Sequence, residues 1–303
     1  MERIRGIFYA CLSAATFGMI PLFANQAILD GVNNDTILVY RYTLAALIYG
    51  IFLLIRRTNL RLSLLELKEV SLAGVGGYGV TAFFLFLSYH YMPTGIATSI
   101  HYLYPVVVAI FMAVFYREQL SLIVKTAIIL AIAGVALLSW SEGTIQWLGL
   151  VFVLLSTITY GIYVVALNRP VLKAMNPSVL TFWVLALSAL FYILLATCRG
   201  TFHFITTPHF LFDMTMLGFL STVVSARLLV SAVKLIGSVS TSVLGTLEPI
   251  TAIVIGILVF HESFRALNFI GFCMVVLAVL VVIVYTNNAS RRKQSMPDKN
   301  REP

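Results

Sequence analysis

The chain has 303 residues, of which 60% are hydrophobic and only 11% charged, with a mean hydropathy of +0.97. A soluble domain carries about a quarter of its residues as charged side chains; this chain cannot cover itself with water-facing groups and reads as an integral membrane protein. Its net charge of +8 is explained by the placement of basic residues relative to a bilayer, and gives no reason to invoke nucleic acid.

A span needs roughly 20 apolar residues to cross a ~30 Å hydrocarbon core, and only helices or closed barrels satisfy their backbone there. Runs such as "TAIVIGILVF" are apolar throughout instead of alternating, so the spans are helices. In chain order they are predicted near residues 5–27, 36–55, 70–90, 95–116, 122–139, 147–167, 178–197, 212–234, 238–260 and 267–286. Short breaks with turn or charged residues separate them, including "DGVNND", "YREQ", "NRPVLKAMNP" and "HESFR". The first segment is too long for the apolar region of a signal peptide, and "FANQAI" is a poor cleavage site, so it is retained as a span. The reading is therefore an all-α integral membrane protein with ten transmembrane helices.

Charge placement orients it. Every Lys and Arg falls on one side except Arg199 and Arg265 opposite, and Arg41 and Arg227 inside segments. By the positive-inside bias that side is the cytoplasm. Both termini are then cytoplasmic, in keeping with an even number of spans, and 287–303 is a basic cytoplasmic tail.

Intramembrane charges are costly and usually face the bundle interior. Arg41 lies about a third of the way in from the outside and Arg227 about a third in from the cytoplasm, so either snorkels or faces inward. Glu248 is near the middle of its helix and cannot snorkel. Without a nearby cation, a lone carboxylate there is costly to keep ionised. His101, Tyr102, Tyr78, Trp183, Asn25 and Asn168 are the other candidate cavity residues, and each can equally be a packed, satisfied core side chain. Pro105 and Pro249 lack the N–H that would bond the carbonyls of His101 and Gly245, so a kink with a freed carbonyl is expected at each. Glu118 and Glu262 end their segments at opposite membrane faces and read as gate or anchor residues.

The chain repeats. "LYPVVVAIFMAVFYREQL" (Leu103–Leu120) returns as "LEPITAIVIGILVFHESF" (Leu247–Phe264), with Pro and Glu in matching places. "GIFYACLSAATFGMIPLFAN" (Gly6–Asn25) aligns with "GLVFVLLSTITYGIYVVALN" (Gly149–Asn168), including Ser13/Ser156, Thr16/Thr159, Gly18/Gly161 and Asn25/Asn168. Each half, 5–139 and 147–286, then holds five helices, and an odd number inverts the second copy. Inverted repeats are an architecture of secondary transporters, with the site near the midplane between them.

These residues also resemble a known family. The paired Pro-and-Glu helices, with "LVYRYTLAAL", "AIILAIAGVALL" and "NFIGFCMVVLAVLVV" around them, are similar to EamA-type members of the drug/metabolite transporter superfamily. The resemblance implies a ten-helix metabolite carrier, usually an exporter, in the bacterial cytoplasmic membrane. One departure is that Tyr104 stands in the first copy where Glu248 stands in the second.

The expected function is secondary transport of small metabolites, amino acids or related compounds foremost, by alternating access; efflux of drugs or toxic metabolites is the alternative. The expected partners are a small-molecule substrate, the lipid bilayer and protons as a coupling ion, and a monomer suffices. No cofactor, metal site or enzymatic constellation is expected. Cys11, Cys198 and Cys273 are isolated, no nucleotide-binding glycine loop occurs, and no His/Asp/Glu cluster has ligand spacing.

Overall fold

A computed structural model describes residues 2–92, 97, 100–117, 120–138, 146–260, 267, 269–271, 273–274, 276–278 and 280–281. Among these residues the regular structure is helical, with no strand. The first half contains α1 (Glu2–Phe17), α2 (Ile20–Leu29), α3 (Asn34–Ile55) and α4 (Leu64–Ser71). A π-helical stretch, Leu72–Gly79, joins α4 to α5 (Val80–Ser88), and α6 (Tyr104–Tyr116) and α7 (Leu122–Leu138) follow. The second half contains α8 (Trp147–Ala166), the short α9 (Pro170–Ala174), α10 (Pro177–Arg199) and α11 (Pro208–Gly218). A second π-helical stretch, Phe219–Val224, leads into α12 (Ser225–Ile236), followed by α13 (Ser238–Leu244) and α14 (Leu247–Phe260).

Local chemistry sets the helix ends. Asn33 caps α3 by accepting the Thr36 N–H at 2.8 Å, and Ser63 and Glu66 form a reciprocal capping box on α4. Proline opens α9, α10 and α11, where a missing N–H leaves no helical bond unmade. At the other end of α10, Gly200 turns the chain at φ +64°.

Among the described residues, six helices are long and apolar enough to cross a membrane: Glu2–Ala24, Asn34–Ile55, Leu64–Ser88, Trp147–Ala166, Pro177–Arg199 and Pro208–Ile236. They occupy six of the ten predicted segments. The other segments hold shorter helices, and for two of them the reason is visible. The ninth segment is split, because the chain leaves α13 at Leu244, turns through Gly245 and Thr246, and restarts at Leu247. The fourth does the same, turning through Tyr102 and Leu103 before α6 begins. Glu118, Glu262 and the tail 287–303 lie outside the described residues.

The two halves pack on one another in an exchangeable way. Against α12 lies α1, and against α5 lies α8; α14 meets α1 as α6 meets α8. In the same fashion α11 packs on α3 while the first π-helical stretch packs on α10, and α3 and α10 pack on each other. Single atoms repeat the pattern. The Ser13 hydroxyl donates to the Ser225 carbonyl at 2.8 Å, and its repeat mate Ser156 donates to the Thr81 carbonyl at 3.0 Å. A Cβ on Gly6 would press on Leu235 and Ile236, and one on Gly149 on Tyr91 and Met92. Small residues at these positions let the helix backbones approach.

Candidate functional site

Between the halves lies a cavity of about 100 Å³. Its wall comes from both halves: Phe17, Ile20, Arg41 and Tyr42 from the first two spans, then Tyr78, Thr81, Ala82, Leu85, Phe86 and Tyr89 from the third. His101, Tyr102, Tyr160 and Glu248 complete it. Arg41 and Tyr42 of this wall are carried by α3. The stretch Phe219–Val224 contributes indirectly, through Thr222, which holds Arg41.

The helix break at Gly245–Thr246 places Glu248. Glu248 N–H bonds the Gly245 carbonyl at 2.9 Å, so that carbonyl is not the free group expected from Pro249. A helix that restarts at Leu247 puts Pro249 in its first turn, where the missing N–H matters little. Pro105 sits likewise in the first turn of α6. Both prolines mark new helix starts, and neither is a kink inside a continuous helix. Glu248 is left at the start of α14, facing the cavity, and among the described residues its carboxylate has no hydrogen bond or ion pair.

Arg41 is 4% exposed. Its Nε donates to Thr222 Oγ1 at 2.8 Å, and its guanidinium lies 5.4 Å from the Tyr42 ring centroid, within cation–π range. Thr222 Oγ1, in the π-helical stretch, in turn donates to the Leu217 carbonyl at 2.8 Å, five residues back near the end of α11. That widened turn is what presents Thr222 to Arg41; such insertions are frequent at functional sites. Among the described residues the Nη groups of Arg41 have no acceptor, and the Arg41 charge acts electrostatically on Glu248 across the cavity.

Aromatic rings connect the two charges. Tyr192 stacks on Tyr42 at 5.0 Å, Tyr42 meets Tyr78 edge-on at 5.9 Å, and Tyr78 meets Tyr163 at 5.1 Å. Tyr104 lies edge-on to Tyr160 at 4.7 Å, and His101 is 5.4 Å from Tyr160. Buried Tyr78 has no partner for its hydroxyl among the described residues. His101 Nδ1 is 2.9 Å from Ser156 Oγ.

The structure therefore brings together Tyr78, His101, Tyr102 and Glu248 of the predicted candidates, with Arg41 beside them. Asn168 and Trp183 are elsewhere: Asn168 donates to Ser238 Oγ and to the Val165 carbonyl, and Trp183 Nε1 donates to the Leu60 carbonyl at 2.9 Å. Arg227 is held by Ser178 at 3.0 Å and by Ser231. The side chain of Asn25 is outside what the structure describes. Tyr42, Tyr160, Phe17 and Thr222 were not singled out from the sequence. Two signals were available: Tyr42 adjoins Arg41, and Tyr160 is the repeat mate of Phe17.

The sequence matches the EamA-like transporter family twice, over residues 4–140 and 147–284. An "Uncharacterized transporter" of Archaeoglobus fulgidus is 28% identical over 141 residues, covering 46% of this chain. The matched stretch is 49% of that protein, so the likeness spans about half the length of the curated relative. A solved structure titled only "Crystal structure of protein" superposes with a TM-score of 0.82 at 16% identity, covering 95% of this chain and 99% of the other. That likeness is one of fold.

Proposed function

Because the chain belongs to the EamA-like transporter family, within the drug/metabolite transporter superfamily, we propose that it is a secondary carrier of small metabolites, amino acids or related compounds foremost. It crosses the cytoplasmic membrane ten times as two inverted five-helix repeats, with both termini in the cytoplasm. Its cargo binds between the repeats and is exported by alternating access, export being the direction the family resemblance implies. The observation that carries this reading is the meeting of Arg41 and Glu248, from different halves of the chain, in one small cavity. Buried charges left without protein partners are costly, and a bound polar solute gives them partners. Exchangeable packing of the halves supports two arrangements of similar energy, as alternating access needs.

Efflux of drugs or toxic metabolites is favoured by the tyrosine-rich wall. Size weighs against it, since a cavity of about 100 Å³ is well below the ~300–1,000 Å³ of pockets for drug-sized ligands. The test is to compare metabolites in the medium of cells with and without the protein, then to assay the enriched compounds for counterflow in liposomes. Enrichment of small polar metabolites with matching counterflow supports the reading; enrichment only of bulky apolar compounds would replace it with the efflux alternative.

A further inference from the structure

Ser156 and Ser13 are repeat mates. Each gives its hydroxyl proton to a backbone carbonyl of the helix packed against it, Thr81 and Ser225 respectively. The bond from Ser13 stands without any histidine, so the serine-to-carbonyl bond belongs to the packing of the halves. At Ser156 a histidine has been added to it, with His101 Nδ1 2.9 Å from the same oxygen. A hydroxyl has one proton, and the Thr81 carbonyl can only accept it. The contact with His101 is then made by Nδ1–H donating to Ser156 Oγ. The neutral imidazole is thereby fixed with its lone pair on Nε2. Nε2 has no partner among the described residues, and His101 lines the cavity.

We propose that His101 is a specificity-determining residue: its Nε2 accepts a hydrogen bond from cargo, and with Glu248 it selects small zwitterions whose ammonium still carries N–H groups. This rests on the carrier reading above. The Nη groups of Arg41 take the carboxylate of the cargo, in the bidentate manner suited to that group. A cage of tyrosines alone would behave differently. Cation–π attraction accepts quaternary ammonium readily, whereas a lone pair on Nε2 requires a donor. Ser156 is a positioning residue, acting on the cargo only through the tautomer of His101.

The probe is an amino acid and its N-trimethylated analogue. Purified full-length protein is screened with the common amino acids by thermal stabilisation. The most stabilising one is then titrated against its trimethylated form, its decarboxylated amine and its deaminated acid. The trimethylated form should bind at least about tenfold more weakly than the parent, with the amine and the acid also weaker. Ser156→Ala should collapse the preference for the parent over the trimethylated form. Ser13→Ala, which removes the equivalent packing bond where no histidine is attached, should leave that preference intact. His101→Phe should abolish the preference without loss of fold. Equal or tighter binding of the trimethylated form, an unchanged ratio in Ser156→Ala, an equal loss in Ser13→Ala, or no stabilisation by any amino acid would overturn the proposal. The carrier reading falls separately, on the absence of counterflow for every metabolite enriched in the medium.

Discussion

Glu248 is the residue on which most depends. A carboxyl that merely stitched helices together would need a partner, and among the described residues its carboxylate has none. That leaves two roles, contact with cargo and uptake of a proton linked to the change of access. Glu248→Gln keeps the shape and removes titration, whereas Glu248→Asp keeps titration. Under proton coupling the Gln variant should lose uphill, proton-driven flux and retain exchange of cargo, and the Asp variant should retain both. Uphill transport by Glu248→Gln at wild-type rates across a pH series would remove the proton from the mechanism. At this scale the sequence was informative where a side chain was out of place in lipid. Arg41, His101 and Glu248 stood out as polar groups deep in apolar runs, and all three reach the cavity. Asn168 and Trp183 looked equally out of place, yet their polar atoms are used by Ser238 and by the Leu60 carbonyl. Such partners are distant in the chain and cannot be read from it. Tyr42 and Tyr160 were hidden for the opposite reason, since tyrosine and phenylalanine recur throughout the sequence.

Where α13 gives way to α14, Gly245 leaves room for the hydroxyl of Tyr104 at the start of α6, and a Cβ there would collide with it. The two helix breaks of the repeats thus meet each other, glycine against tyrosine. Gly245 has φ −58°, so the requirement is one of space and not of backbone conformation. Gly245→Ala should destabilise the folded protein by roughly 1–3 kcal/mol through overpacking. Tyr104→Phe should restore most of that loss in the double variant, as measured by thermal unfolding in detergent; additive losses would show that the clash lies elsewhere. The sequence showed that something unusual happens at both prolines but placed it wrongly. Pro249 suggested a kink with a free Gly245 carbonyl, whereas the chain ends one helix and begins another, and the Glu248 N–H takes that carbonyl. Proline at a helix start and proline at a kink give the same local sequence signal. What separates them is the upstream turn, and that turn needs the small Gly245 to pass under Tyr104.

For the molecule as a whole, the repeat was legible because Gly, Ser, Thr and Asn matched at a constant offset, and the structure supplies reasons for several matches. Ser13 and Ser156 join helices of opposite halves, and Gly6 and Gly149 admit close neighbours. The splitting of the fourth and ninth segments was less legible than the repeat, because a split helix and a continuous one have similar hydropathy. Topology is therefore a separate test: reporter fusions at Asn33, Ser141 and Thr201 should read outside, and those at Asn59, Met175 and the C-terminus cytoplasmic. A cytoplasmic signal at Ser141 would overturn the proposed inverted arrangement of five and five helices. Carriage itself is tested most directly by counterflow. Liposomes holding the purified protein are preloaded with unlabelled amino acids, and a trace of labelled amino acids is added outside. The account predicts that label accumulates transiently above its equilibrium level, driven by the outward flow of unlabelled cargo through the same site. Uptake no greater than in protein-free liposomes would contradict it.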